Sequence, residues 1–227
     1  MKIKLLVAAA ATVVASSAMA ASAFEGAYGQ LGVGYENNTV SSRVFNVTGA
    51  STFSGSAPSS SGGGFSGTVG LGYNFSVAPQ WLIGIGADYA PTNVTTSTQP
   101  VLSCSDCDGT NNYKVKNRYN IYVTPGYEID KDKLIYVKGG YSNQAITWQP
   151  QANVSGVSSL TSNVSGYVAG LGYKQLIDKN IYVFGEGNYY SYSNYNTGTL
   201  SQSSGKTYAQ TQTPSAYQFL VGVGYKF

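Results

Sequence analysis

The sequence predicts an all-β fold: an eight-stranded antiparallel up-and-down transmembrane β-barrel. Three observations predict it. Apolar and polar residues alternate with period two in eight segments of about 11–15 residues, longer than the roughly 5–6 of an ordinary strand and suited to a tilted membrane crossing. Charged residues make up only 10 % of the 227, where a soluble domain carries about a quarter. Mean hydropathy is nonetheless −0.11, because 28 Gly, 20 Tyr and many Ser, Thr and Asn supply polarity without charge. Hydrocarbon offers no partner to backbone N–H and C=O groups, so a sheet placed there has to close on itself.

The N-terminal segment reads as a signal peptide spanning 1–23. Lys2 and Lys4 form a short basic start, Leu5 to Ala15 an apolar run, and Ala18-Met19-Ala20 and Ala21-Ser22-Ala23 two small-x-small cleavage sites. The apolar run is too short to span a bilayer as a helix, which takes about 20 residues. Cleavage after Ala20 or after Ala23 removes both lysines, and residues 24–227 form the barrel domain.

The strands follow in order. Ala27, Leu31, Val33 and Tyr35 alternate with Tyr28, Gln30, Gly32, Gly34 and Glu36. Phe65, Val69, Leu71, Tyr73 and Phe75 alternate with Ser66, Thr68, Gly70, Gly72 and Asn74. Trp81, Ile83, Ile85, Ala87 and Tyr89 alternate with Leu82, Gly84, Gly86 and Asp88. Val115, Tyr119, Ile121 and Val123 alternate with Lys114, Lys116, Arg118 and Asn120, with Pro125 near the strand end, where a missing ladder donor is tolerable. Segments 134–146, 163–176, 181–194 and 215–227 repeat the theme. The apolar parity carries almost no charge. A soluble sandwich would reverse this arrangement, with its apolar face inside and charges outside.

The connections alternate in length. Tight links lie at 76–80, 129–133 and 177–180; long ones, rich in Ser, Thr, Asn and Gly, lie at about 38–62, 92–112, 147–162 and 195–214. Short periplasmic turns and long extracellular loops are the layout of an outer-membrane barrel. Aromatic residues on the apolar parity gather at the strand ends: Phe75, Trp81, Tyr127, Tyr173 and Phe227 on the turn side, and Tyr35, Phe65, Tyr89, Tyr113 and Tyr217 on the loop side. Amphipathic rings in those places form the two interfacial girdles.

Charges on the polar parity define a candidate lumen network: Asp88, Arg118, Lys138 and Glu186. Tyr182 and Phe184 would suit lipid, but that phase carries Glu186 to the lipid face, so Glu186 is placed inward. Buried charges persist only when paired. Neighbouring strands make an Asp88–Arg118 contact feasible, whereas Lys138 and Glu186 meet only across the lumen or through Arg118. Glycines on the inward parity relieve crowding in a narrow interior.

Cys104-Ser105-Asp106-Cys107 has CxxC spacing, but no βαβ context surrounds it, and an intraloop disulfide between Cys104 and Cys107 suits an oxidising compartment. Asp106, Asp108, Asn111 and Asn112 have oxygens of the kind calcium takes, yet such clusters are commonly turn formers. No metal or cofactor is expected.

The chain ends Tyr217-Gln218-Phe219-Leu220-Val221-Gly222-Val223-Gly224-Tyr225-Lys226-Phe227, apolar on alternate positions and stopping on Phe. With the repeated runs Gln30-Leu31-Gly32-Val33-Gly34-Tyr35, Thr68-Val69-Gly70-Leu71-Gly72-Tyr73 and Val168-Ala169-Gly170-Leu171-Gly172-Tyr173, residues 24–227 resemble the OmpA/OmpX-like, opacity-type outer-membrane β-barrel family. The resemblance implies residence in the bacterial outer membrane, contact with its lipid and lipopolysaccharide, and recognition of Phe227, Tyr225 and Val223 by the barrel-assembly machinery. It also implies loops that meet a surface ligand.

Composition narrows the function classes. A net charge of +3 is too weak for a nucleic-acid footprint. With no histidine, His-activated serine or cysteine chemistry is excluded. A non-enzymatic barrel with a structural and surface-interaction role, adhesin-like in its loop display, is the expectation. The alternative is a small porin-like or hydrophobic-solute channel, for which an eight-stranded interior is ordinarily too full.

Overall fold

The computed structural model describes residues 22–41, 43–48, 53–57, 59–91, 93–100, 110–150, 159–196, 200–201 and 207–227. Eight strands form the barrel wall: β1 (Gly26–Val40), β2 (Ser60–Ala78), β3 (Trp81–Ala90), β4 (Thr110–Asp130), β5 (Lys133–Pro150), β6 (Leu160–Leu176), β7 (Ile181–Tyr192) and β8 (Pro214–Lys226). Each pairs antiparallel with its chain neighbour. β8 closes the ring on β1, in continuous register from Tyr28 opposite Lys226 to Val40 opposite Pro214. No helix occurs among the described residues, so strands alone make the crossing.

The tight turns are where the sequence places them. Pro79-Gln80 joins β2 to β3 with Gln80 at φ 66°, and the Tyr127 hydroxyl donates to its side-chain oxygen at 3.1 Å. Lys131-Asp132 joins β4 to β5, with Asp130 opposite Lys133. The Lys131 N–H donates to the Asp130 carboxylate at 2.8 Å and Lys133 approaches at 3.1 Å, and these two contacts hold the exposed Asp130 carboxyl below its usual range.

The parity assignment holds for the apolar faces of β1, β2 and β3: Leu31, Val33, Phe65, Leu71, Trp81 and Ile85 all face outward and are exposed. On β4 it fails in the upper half. Tyr113 and Val115, expected outside, are buried at 0 % and 4 % exposure inside the barrel. The cause is a β-bulge. The register with β5 shifts between Lys116 and Tyr119, where Asn117 takes φ 53°. One extra residue in one strand reverses the parity of everything beyond it. Lys114 and Lys116, expected on the inward parity, consequently lie on the outer face. Pro125 faces outward, and the ladder to β5 passes from Val123–Gly139 to Gly126–Tyr136, skipping the two positions between.

The expected long loops also contain more strand than their composition suggests. Arg43–Thr48 pairs with Phe53–Ala57 and with Thr207–Gln212, and the last of these pairs also with Tyr195–Asn196 and Leu200–Ser201. The first and last long connections thus zip into a second sheet beyond the loop end of the barrel. Val94–Thr95 and Gln99–Pro100 extend the wall by pairing with β4. Ser- and Thr-rich composition concealed runs such as Arg43-Val44-Phe45-Asn46-Val47-Thr48, whose β-branched and aromatic residues favour strands.

Candidate functional site: a filled, charge-lined lumen

The interior is layered. At the turn end Phe24, Leu82 and Leu134 pack together, with Leu176 against them. Phe24 is anchored from both sides of its backbone: its N–H donates to Ser22 Oγ at 3.0 Å, and its carbonyl accepts from Asn74 Nδ2 at 2.9 Å. Ser22 Oγ in turn donates to the Glu128 carboxylate. Above lies a ring of Tyr28, Tyr182, Phe184 and Leu220. At the loop end a larger apolar cluster includes Val40, Tyr113, Val115, Ile146, Trp148 and Tyr190. Two members of this upper plug, Tyr113 and Val115, enter it only through the β4 bulge.

Between the apolar layers lies the ionic network. Lys138 on β5 bridges two carboxylates: Asp88 on β3 at 2.8 Å and Glu186 on β7 at 2.9 Å. Glu186 also accepts from Tyr136 OH at 2.7 Å and Asn188 Nδ2 at 2.8 Å, and Asp88 accepts from Asn120 Nδ2. Lys138 and Glu186 meet over β6, where Gly170 and Gly172 leave the space. A Cβ on Gly170 would collide with Asn188, and one on Gly172 with the Tyr136 ring. Glu186, Tyr182 and Phe184 all face inward, at 6 %, 2 % and 4 % exposure.

Arg118 does not contact Asp88, as the adjacency of β3 and β4 suggested. Its partner is Glu36 on β1, three strands away, through Nη1–Oε2 at 2.6 Å and Nη2–Oε1 at 2.7 Å. This bidentate geometry is the strong form of the carboxylate–guanidinium contact. Arg118 also donates to Gln144 Oε1 at 2.8 Å and Tyr192 OH at 3.0 Å, and its guanidinium stacks over Tyr190 at 4.1 Å. Glu36 accepts further from Asn38 Nδ2, Ser66 Oγ and Gln218 Nε2 at 2.6, 3.2 and 3.1 Å.

Two members of the network were missed from sequence. Glu36 sat on the inward parity of β1 but was not carried into the site, and Lys174 was passed over beside Tyr173. The four charges read from the sequence already balance two against two, so charge gave no hint of the other pair; the signal was inward parity, on which Glu36 and Lys174 both lie, at 3 % and 5 % exposure. Lys174 Nζ lies over the rings of Tyr28, Tyr182 and Tyr136 at 4.1, 4.9 and 5.3 Å, so aromatic faces rather than a direct carboxylate contact surround it.

Chemically, the carboxylates are engaged as acceptors. Among the described residues no group of His, Cys, Asp and Glu is placed to hold a metal. Cys104, Cys107, Asp106 and Asp108 lie outside the described residues. Val223, Tyr225 and Phe227 line the outer face at the β8 end, with Phe227 76 % exposed.

The chain matches the family model described as outer membrane protein beta-barrel domain over residues 6–227. Among curated proteins no sequence matches it. Solved structures share its fold, two outer-membrane proteins among them. The outer membrane protein OprG from Pseudomonas aeruginosa aligns with a TM-score of 0.57 at 15 % identity, covering 89 % of this chain and 97 % of OprG. The outer membrane protease OmpT from Escherichia coli aligns with a TM-score of 0.55 at 11 % identity, covering 93 % of this chain and 100 % of OmpT. At those identities the likeness concerns the fold alone.

Proposed function

Because the chain belongs to the outer membrane protein β-barrel domain family, and so resides in the bacterial outer membrane, we propose that it is a non-enzymatic barrel with a structural and surface-interaction role. One observation carries this reading: among the described residues, side chains occupy the lumen in successive layers. Apolar side chains occupy both ends, and a charge-balanced network occupies the middle. An interior filled by its own side chains stiffens the wall and leaves presentation of the loops as the exposed asset. The second sheet, built from Arg43–Thr48, Phe53–Ala57 and Thr207–Gln212, gives those loops a paired backbone on which to present a surface to a ligand.

The alternative, a small porin-like or hydrophobic-solute channel, requires these layers to part. Planar-bilayer recordings separate the two. The closed barrel gives no steady, reproducible open level; sustained conductance would overturn the reading in favour of a channel. Surface binding that disappears on deleting 43–57 or 195–212, with heat-modifiable gel mobility unchanged, is the positive result expected.

The non-enzymatic reading rests on the absence of histidine, which leaves no imidazole to activate a serine or a water. Turnover in a lipid- or peptide-hydrolysis assay would reject it. The remaining partners are outer-membrane lipid and lipopolysaccharide around the wall, and the barrel-assembly machinery at Phe227, Tyr225 and Val223. The signal segment is cut after Ala20 or Ala23. The contacts of Ser22 with Glu128 and Phe24 favour Ala20, which keeps Ser22 in the mature chain.

A further inference from the structure

We propose that Glu128 is the receptor for the α-ammonium group that signal cleavage creates, forming an ion pair that locks the turn end of the barrel once the chain is processed. The inference rests on the cut after Ala20 proposed above. Glu128 stands on the inward parity of β4, opposite Leu134 on β5, and is 9 % exposed. Its N–H donates to the Gln80 carbonyl at 2.8 Å. Among the described residues its carboxylate has no ion-pair partner, and the donor that reaches it is the neutral Ser22 hydroxyl. Lys133, in the adjoining turn, pairs with Asp130 and Asp132. Lys174, which flanks Leu134 on β6, lies over tyrosine rings instead. A buried carboxylate is costly without a counter-charge, and one hydroxyl does not supply it.

Local structure fixes Ser22 against this carboxylate. The Glu25 N–H donates to the Ser22 carbonyl at 3.1 Å, closing a turn over Ala23 and Phe24. Phe24, 2 % exposed, packs with Leu82 and Leu134, and its carbonyl accepts from Asn74 Nδ2 at 2.9 Å. Leu134 is also the residue opposite Glu128, so the apolar plug and the carboxylate share a neighbour. The covalent chain supplies the rest. Consecutive Cα atoms are about 3.8 Å apart and each nitrogen is about 1.5 Å from its own Cα. The Ala21 nitrogen therefore lies within about 5 Å of the Ser22 Cα, and the Ser22 hydroxyl touches Glu128.

Before cleavage that nitrogen is a neutral amide. Hydrolysis of the Ala20–Ala21 bond puts the water oxygen on the Ala20 carbonyl carbon and both water protons on the Ala21 nitrogen. The released segment then ends in a carboxylate, and the mature chain begins with an ammonium. An α-amino group ordinarily titrates at about 7.7–8.0, so it is largely charged at neutral pH. In the uncut chain the Ser22 hydroxyl ties the segment to Glu128; in the mature chain an ion pair joins it. Processing thereby supplies the counter-charge that the barrel lacks and tightens the plug at the turn end.

The test uses the full mature chain, secreted from its own precursor, purified from membranes and kept folded in detergent. Intact mass gives its first residue, expected to be Ala21. The α-amine is then acetylated at mildly acidic pH, which spares lysines because they titrate at about 10.4. Chymotrypsin cuts after Phe24 when the plug opens, and mass spectrometry reads the loss of residues 21–24. With opening fast relative to cutting, the rate follows the open population. Acetylation should speed the cut about 10-fold, the scale of losing an ion pair between the exposed and the fully buried case. E128Q should speed it at least as much, and acetylating E128Q should add nothing. Heat-modifiable mobility establishes that E128Q is folded, and the acetylation arm needs no substitution. Equal cutting of free and acetylated wild-type chains, or an acetylation effect that persists in E128Q, overturns the ion pair. A mature chain that starts at Phe24, or that retains residues 1–20, overturns instead the processing on which the pair rests.

Discussion

Arg118 on β4 clasps Glu36 on β1 across the lumen, with both guanidinium nitrogens within 2.7 Å of the two carboxylate oxygens. Both side chains are at most 4 % exposed, so neither charge has water to fall back on. Breaking such a pair from one side costs about 3–5 kcal/mol, because the survivor is left uncompensated, whereas removing both members costs far less. Glu36→Gln and Arg118→Met should each lower unfolding stability by about that amount, and the double variant should lose less than their sum. Denaturant unfolding in lipid vesicles, arranged as a double-mutant cycle, measures the coupling.

Lys138 serves two carboxylates at once. Lys138→Met should therefore destabilise the barrel more than Glu186→Gln, and combining the two should cost less than their sum. Unfolding curves check the ranking; strictly additive losses would show that Lys138 and Glu186 are uncoupled.

The bulge at Asn117 makes Val115 and Ile121 opposite in environment although they share a parity in the sequence. A cysteine at 121, introduced into a background without Cys104 and Cys107, should react with a membrane-soluble maleimide. A cysteine at 115 should stay protected. Equal labelling at both sites would show that strict alternation runs through the whole of β4.

At the end of β8, deleting Phe227 or replacing it with Asp should impair assembly more than changing Lys226. Phe227 stands on the lipid parity, at the position proposed above for recognition by the assembly machinery, and Lys226 stands on the inward one. Heat-modifiable gel mobility reports the folded fraction, and equal folding of both variants would contradict the assignment.

Cys104 and Cys107 should form a disulfide that the barrel does not require. A loop this short restrains the unfolded chain little, since such stabilisation grows with loop length. Thiol titration tests the bond, and insertion of the double serine variant tests its dispensability.

Strand number, the lipid-facing residues of β1, β2 and β3, the tight turns and the inward side of Asp88, Arg118, Lys138 and Glu186 were legible in the sequence alone. The reason is geometric: successive strand residues point to opposite faces, and a membrane demands that one of those faces be apolar. What the sequence left open were relations between strands. Arg118 found Glu36 rather than Asp88 because strand tilt and stagger set which heights coincide across a barrel, and alternation within one strand carries no information about its height against another. Lys138 reached Glu186 because Gly170 and Gly172 clear the strand between them. Tyr113 and Val115 turned inward through a single left-handed residue, a local backbone choice that period-two patterning does not encode. The tertiary structure decided these matters, because ring closure brings into contact residues that are far apart in the chain.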